Sequence, residues 1–198
     1  MEKKEKAVSF SVGGPLVNLP GHPYTFAPIP MTSFSGAAGI ADDLTVFGGV
    51  NTTGLLFGVF NADVGMVKGL WKPKGMIPGL TISPIGNFMI DRWDWNFRFY
   101  PQLDLNAYWD YGDTGNFFYL GTTNWFDLRE QSVHGEERYN YWVPGFHTGH
   151  TFTTPRMNYT LELKYMGPGA DVERMALDFL SIRSHGVWGF YFGVSRRF

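Results

Sequence analysis

Hydrophobic and polar residues alternate with a period of two along much of this chain, and the clearest case runs from Trp95 to Tyr111. The odd positions of this stretch are mostly aromatic or aliphatic, whereas the even positions carry amides, phenols and the charges of Arg98, Asp104 and Asp110. A period of two predicts a β-strand with one apolar face and one polar face. Soluble strands usually have about 3–10 residues, so this strand is expected to be unusually long.

Shorter segments with the same alternation lie on both sides of this stretch, and turn-forming residues separate many of them. The ten segments that we interpret as strands cover residues 8–12, 32–41, 44–50, 55–66, 79–85, 95–111, 117–127, 139–150, 158–165 and 185–198. Residues 18–30, rich in proline, are predicted to form a long loop. The pattern of residues 172–182 fits a helix or a strand, and we interpret it as a loop excursion or a short helix.

Tryptophan and tyrosine stand near the ends of several apolar faces, as lipid-facing strands with aromatic interfacial girdles require. The residues expected in the girdles are Trp95, Trp109, Tyr111, Tyr159, Tyr165 and Trp188. The sequence therefore predicts an all-β fold, a transmembrane antiparallel up-and-down β-barrel of about ten strands, with eight or twelve as alternatives. Residues 7–198 would form this single domain, and the charged residues 1–6 would form a solvated tether.

Composition agrees with this fold, since aromatic residues make up 18% of the chain, charged residues only 17%, and glycines number 25. The net charge of −2 does not favour nucleic-acid binding. Cysteine is absent, which excludes disulfides and thiolate metal sites. No apolar run of about 18 residues exists, which excludes a membrane-spanning helix. The N-terminal segment has no apolar region of a signal peptide, so an exported protein would be in its mature form.

The last fourteen residues read HGVWGFYFGVSRRF, with Trp188, Phe190, Phe192, Val194 and Phe198 on one face. In this amphipathic strand with a terminal aromatic residue, the sequence resembles bacterial outer-membrane β-barrel proteins. The resemblance implies an outer-membrane location, contact with its lipids, and recognition of Phe198 by the barrel-assembly machinery as an insertion signal. Arg196 departs from the pattern, because an apolar or aromatic residue is usual there; an arginine near the periplasmic rim can extend to lipid headgroups.

If the apolar faces meet lipid, the polar faces line the barrel lumen. The charged residues expected in the lumen are Arg98, Asp104, Asp110, Glu162, Lys164 and Arg197. Eight strands enclose a lumen that side chains just fill, and ten strands enclose only a little more. Opposite charges are therefore expected to form a hydrogen-bonded structural network. A narrow selective pore is the alternative interpretation.

A soluble barrel of the lipocalin type would use the same alternation with the apolar face inward, around a ligand. Gly69-Leu70-Trp71 is similar to the glycine-x-tryptophan element of that family, but it lies far from the N-terminus, where the element belongs. The aromatic ends of the long strand and the scarcity of lysine on the polar faces favour the membrane barrel.

Candidate catalytic residues are few. An outer-membrane enzyme acting on lipid or peptide would use His147 or His134 as a base, but no G-x-S-x-G or H-E-x-x-H motif is present. His147 and His150 are three residues apart, so on a strand they face opposite sides. His134 with the glutamates of residues 136–137 is expected to be solvated loop charge rather than a metal site. We therefore predict no catalytic residue, no metal and no cofactor.

The sequence favours a non-enzymatic outer-membrane protein, acting as a structural barrel, a narrow channel or an accessory subunit of a larger outer-membrane transporter or assembly complex. The loops predicted at residues 18–30 and 88–95 have few charges and could provide a docking surface. A lipid-modifying or hydrolytic outer-membrane enzyme and a soluble ligand-binding barrel are the alternatives.

Overall fold

The computed structural model describes residues 3–19, 21, 25–93, 95–112, 115–129, 141–173, 175 and 177–198. These residues contain eleven strands and one short helix. The strands are β1 (Lys6–Asn18), β2 (Phe26–Pro28), β3 (Met31–Ala41), β4 (Leu44–Asn51), β5 (Val59–Trp71), β6 (Gly79–Asp91), β7 (Phe97–Tyr111), β8 (Asn116–Phe126), β9 (Trp142–Thr153), β10 (Met157–Asp171) and β11 (His185–Arg197), and the helix is α1 (Thr52–Leu56).

The sheet is a closed antiparallel barrel in which consecutive strands are neighbours. Its order is β11-β10-β9-β8-β7-β6-β5-β4-β3-β1, and pairing between β11 and β1 closes the ring. This closing ladder runs from Ala7 opposite Arg197 to Pro15 opposite Gly189. The three-residue β2 pairs only with the end of β1, so the described residues form a ring of ten strands, and the prediction of an up-and-down barrel of about ten strands is confirmed.

The two ends of the barrel differ in the length of their connections. Residues 42–43, 72–78, 112–115 and 154–156 join strands at the end where β1 begins and β11 ends. At the other end, residues 127–141 and 172–184 form the two longest uninterrupted connections, beside the shorter connections of residues 52–58 and 92–96. Outer-membrane barrels have short periplasmic turns and longer extracellular loops, which assigns the end with Lys6 and Arg197 to the periplasm.

Several strands are longer than the alternation predicted. β1 continues through Pro15 to Asn18, and β6 continues to Asp91, so residues 88–91 are strand rather than loop. β10 extends to Asp171 across an irregularity in its pairing with β11. Alternation fades where a strand carries glycine or proline, or rises above the apolar band, although its backbone pairing continues.

Three predicted elements are wrong in detail. Residues 52–56 form α1, with the side chain of Asn51 accepting a hydrogen bond from the amide of Gly54 at 2.9 Å, so the strand predicted at 55–66 begins only at Val59. β7 begins at Phe97, because Trp95 has a φ of 53° and leaves the extended conformation. Residues 26–28, predicted as loop, pair with the end of β1.

No helix occurs among the described residues of 172–182, which form an excursion from β10. This segment extends the barrel wall between β1 and β11 at the extracellular end. The amide of Asn18 donates to the Asp178 carbonyl at 2.8 Å, and the amide of Leu180 donates to the Leu16 carbonyl at 2.8 Å. At the other end, ordered contacts begin before residue 7, since Gly39 exchanges backbone hydrogen bonds with the predicted tether.

Candidate functional site: the polar lumen

Cross-strand pairing places one set of residues on the inner face of the barrel. Asp104 lies opposite Ser83 on β6, and His147 lies opposite Lys164 on β10. Residues directly opposite each other in an antiparallel pair share a face of the sheet. Alternate residues of each strand therefore have inward or outward parity. Following the pairing from strand to strand around the ring places all six of the charged residues predicted for the lumen on the inner face.

Glu162 and Lys164 form the centre of a polar group on β10. The Nζ atom of Lys164 lies 3.1 Å from a carboxylate oxygen of Glu162, and the Tyr119 hydroxyl donates a hydrogen bond to the other oxygen at 2.8 Å. The same ammonium lies 5.0 Å from the centre of the Tyr191 ring. These contacts hold both charges against the wall formed by β8 to β11. A charge inside a barrel needs such partners, because they offset the cost of removing it from water.

His147 is buried beside this pair and bonds through both ring nitrogens. Its Nε2 lies 2.6 Å from Oδ1 of Asn106, and its Nδ1 lies 3.2 Å from the Thr123 hydroxyl. Because an amide oxygen only accepts, Nε2 carries the proton, and in the neutral ring Nδ1 accepts from Thr123. No ring nitrogen is then left for a substrate. His147 is a wall residue of the lumen in this arrangement.

The other candidates for chemistry do not assemble a site. His150 points outward, where its Nε2 contacts the Tyr111 hydroxyl, so it lies on the opposite face from His147. His134 lies outside the described residues. Within the described ranges, no group of three histidine, aspartate or glutamate side chains is placed to hold a metal ion.

A second hydrogen-bonded chain runs along β6 and β7. Asn87 donates to Oε1 of Gln102 at 2.9 Å, and Gln102 donates to the Asp104 carboxylate at 2.9 Å. This chain holds Asp104 on β7, three strands along the sheet from Glu162 on β10. The Asp104 carboxylate is thus held by side-chain amides from β7 itself and from the neighbouring β6.

The remaining predicted lumen residues stand apart from these groups. Arg98 is buried in the extracellular half, with its Nη1 lacking a hydrogen-bond partner. Arg197 lies 3.7 Å from Glu5 at the periplasmic rim, and Asp110 is exposed at the same end. Of the six residues predicted for the lumen, Glu162 and Lys164 form an ion pair with each other, whereas the partner of Arg197 is a residue outside this set.

A cavity of about 490 Å³ lies between the two hydrogen-bonded chains. All of its lining side chains are on the inner face, and they come from β5 to β10. Its charged lining residues are Asp104 on β7 and Glu162 and Lys164 on β10. On the opposite arc of the ring, β1 and β3 carry the small inward residues Ser9, Ser11, Ser33 and Ser35, and β4 contributes Gly49 beside the larger Phe47.

The serines of this arc bond to each other rather than across the lumen. Ser9 and Ser35 have hydroxyls 2.6 Å apart, and Ser11 and Ser33 have hydroxyls 2.6 Å apart. In the ring order, β3 stands across from β8 and β1 stands across from β7. Large polar side chains on one arc thus face small ones on the other, which leaves lumen space that the side chains do not fill.

The distribution of apolar side chains decides which face meets lipid. Among the described residues the only buried apolar one is Val172, in the extracellular segment, so the barrel interior holds no apolar core. Outward apolar residues are exposed in every part of the ring, for example Phe34 at 53%, Val64 at 54% and Leu105 at 44%. A soluble barrel would bury this surface. The protein is an outer-membrane β-barrel. The soluble lipocalin-like alternative is therefore wrong, because the ligand-holding apolar interior that it needs is replaced by a polar lumen.

The residues predicted for the aromatic girdles lie near the strand ends of this outer-membrane barrel, except Tyr165, which is one residue past the middle of β10. Trp109, Tyr111 and Tyr159 stand near the periplasmic ends of β7 and β10, and the Trp109 ring nitrogen donates to the Met76 carbonyl at 3.0 Å. Trp95, Tyr165 and Trp188 lie in the extracellular half, with the Tyr165 and Trp188 rings 4.9 Å apart. No helix in the described part of the chain is long and apolar enough to cross a bilayer.

No protein-family model and no curated protein sequence matches this chain. Solved structures that are similar to it include the NanC porin, at 12% identity and a TM-score of 0.48, covering 96% of this chain and 98% of that one. The translocator domain of the autotransporter NalP from Neisseria meningitidis has 9% identity and a TM-score of 0.48, covering 100% and 90%. OprG from Pseudomonas aeruginosa has 13% identity and a TM-score of 0.35, covering 100% and 97%. The likeness concerns the fold alone.

Proposed function

We propose that this barrel is a narrow, non-enzymatic channel that lets small polar solutes or ions cross the outer membrane. The observation that carries the proposal is the lumen cavity of about 490 Å³, whose lining includes the charges of Asp104, Glu162 and Lys164. Pockets for drug-sized molecules have about 300–1,000 Å³, so a space of this size suits small solutes. The bulk of the polar side chains on one arc restricts the path.

The placement of the charges also supports conduction. Glu162 and Lys164 keep 19% and 31% of their side-chain surface accessible, although each bonds to a neighbour. A network that only filled the barrel would pack against the opposite arc. Here the Glu162 bonds go to β8 and β10, and the serines of β1 and β3 bond among themselves.

Ion selectivity of the refolded protein in a planar bilayer tests the proposal. Lys164→Met leaves Glu162 and Asp104 in the cavity, so a salt gradient should give a reversal potential shifted toward cation preference. Glu162→Gln should shift it toward anions relative to the wild type, because the cavity then has one negative charge fewer and Lys164 is opposed by Asp104 alone. Lys74→Gln, in a periplasmic turn away from the lumen, is the matched control and should leave the reversal potential unchanged.

Two outcomes would overturn the channel. Correctly folded wild-type protein that gives no conductance steps above background would identify the lumen as closed, and the polar group as a structural network. Conductance with identical reversal potentials in all four proteins would place the ion path away from Glu162 and Lys164. Folding of each variant is checked first by the shift between boiled and unboiled samples on an SDS gel.

A further inference from the structure

A groove crosses the lipid-facing surface of β1, β3 and β4. Gly36 and Gly48 stand opposite each other in the β3–β4 ladder, and Val8 stands opposite Gly36 in the β1–β3 ladder. Two open depressions of about 670 and 540 Å³ share these three residues and so join into one groove. The backbone of Gly36 and Gly48 forms its floor, because glycine has no side chain to fill the space.

The walls of the groove are apolar and run along the strands. Phe10, Phe34 and Val50 border its upper part, and Val46 and Phe198 border the part nearest the periplasm. The four steps of β1 from the periplasmic rim to Phe10 make the groove about 14 Å long at ~3.4 Å per residue. Its shape and chemistry fit a hydrocarbon chain that lies along the barrel.

Two cations stand at the periplasmic end of the groove. Lys6 and Phe198 pair through backbone hydrogen bonds of 2.9 and 3.4 Å, and the Arg196 guanidinium carbon lies 5.2 Å from the centre of the Phe198 ring. Both side chains have outward parity and are exposed. In the part of the chain that the structure describes, neither cation forms an ion pair; the nearby Glu5 carboxylate faces Arg197, on the inner side.

We propose that the groove binds one anionic glycerophospholipid of the periplasmic leaflet, with an acyl chain over Gly36 and Gly48 and the phosphate between Lys6 and Arg196. Unpaired cations at a membrane interface attract anionic headgroups, each contributing to binding, and long basic side chains reach headgroups while their stems cover apolar surface. The two cations and the apolar groove thus both favour a phospholipid with an anionic headgroup. The site is on the outer face and does not depend on the lumen being open.

Lipid retention after reconstitution tests the site. The full chain is placed in nanodiscs of equal parts palmitoyl-oleoyl phosphatidylglycerol and phosphatidylcholine, released in native mass spectrometry, and the lipids still bound are counted. Wild-type protein should retain one phosphatidylglycerol in preference to phosphatidylcholine. Lys6→Gln with Arg196→Gln should lower that preference roughly thirtyfold, whereas the periplasmic control Lys74→Gln should leave it unchanged.

Filling the groove distinguishes lipid that is bound in the groove from lipid that is attracted to the protein surface by charge alone. A Cβ atom on Gly36 would meet no atom closer than 4.0 Å, so Gly36→Leu should fold and should abolish retention of both lipids. Equal retention of the two lipids by the wild type, or a double charge variant that behaves as wild type, would overturn the proposal. A lipid-free dimer that Gly36→Leu dissociates would instead identify an interface between two copies. Should Gly36→Leu fail to assemble, the double charge variant alone decides.

Discussion

Arginine substitutions on the two faces of one strand test the orientation of the barrel directly. Val64 and Val67 both lie on β5, three residues apart, but Val64 is exposed on the outer face and Val67 lines the lumen cavity. Val64→Arg and Val67→Arg introduce the same side chain in place of the same residue. Any difference in stability between them therefore reports the surroundings of the two faces.

The structure gives the depth of both positions. β5 has 13 residues, and with ~3.4 Å per residue and a tilt of about 40° it rises about 31 Å across the membrane. Val64 lies one residue from the strand centre and Val67 two residues, so both are within about 5 Å of the middle of the strand. Arginine on the lipid face at the bilayer midplane costs about 2–4 kcal/mol, and Val64→Arg should lower the free energy of unfolding by that amount.

Val67→Arg should change the free energy of unfolding by no more than about 1 kcal/mol, because its guanidinium enters a polar cavity that contains Asp104 and Glu162. Urea unfolding in lipid vesicles, followed by tryptophan fluorescence, measures both values. A cost for Val67→Arg that equals or exceeds the cost for Val64→Arg would refute the assignment of the two faces. The apolar face would then be the one that is buried inside the barrel.

Three further results are expected. Unboiled folded protein should migrate as a shifted band on SDS gels and be recovered only in detergent; a monomer that is soluble in plain buffer would contradict the membrane barrel. Deletion of Phe198 should lower the yield of assembled barrel in cells several-fold while refolding in detergent changes little. An unaltered cellular yield would contradict the prediction that Phe198 is an assembly signal. Gly121→Ala places a Cβ atom in overlap with His147 and Asn106, so its free energy of unfolding should fall by about 1–3 kcal/mol. The control variant Gly36→Ala should lose about 0.5 kcal/mol or less. Equal denaturation midpoints for the two variants would contradict the packing of the lumen wall.

The alternation of residues was sufficient to predict the fold and the faces of the clearly alternating strands, such as β7, β10 and β11, because in a barrel each inward position is followed by an outward one. The positions of strand ends were harder to predict. Trp95 continues the apolar pattern of β7, yet its backbone has turned out of the strand. The pattern records contact with lipid or lumen, whereas a strand ends where backbone pairing stops.

The lumen group was predicted only in part, for a related reason. Parity identifies Glu162 and Lys164 as inward, and two residues on one face of a strand are natural partners. Parity does not tell which neighbouring strands bring Tyr119 and Tyr191 to the same height, because this depends on the stagger of the strands around the barrel. The aromatic residues of β8 were visible in the sequence, but their inner face was clear only from the pairing.

A single wall of small residues explains both proposed sites. β1, β3 and β4 carry Ser9, Ser35 and Gly49 on the inside and Gly36 and Gly48 on the outside. Small inward residues on β1 and β3 leave lumen space opposite Asp104 on β7 and Tyr119 on β8, and small outward residues leave the groove. The two sites nevertheless use different side chains on opposite faces, so their tests are independent. Gly36→Leu should abolish lipid retention without changing the reversal potential, and Lys164→Met should change the reversal potential without affecting retained lipid. If either variant altered both measurements, the thin wall would couple the lumen to the bilayer, and the two sites could no longer be treated as separate.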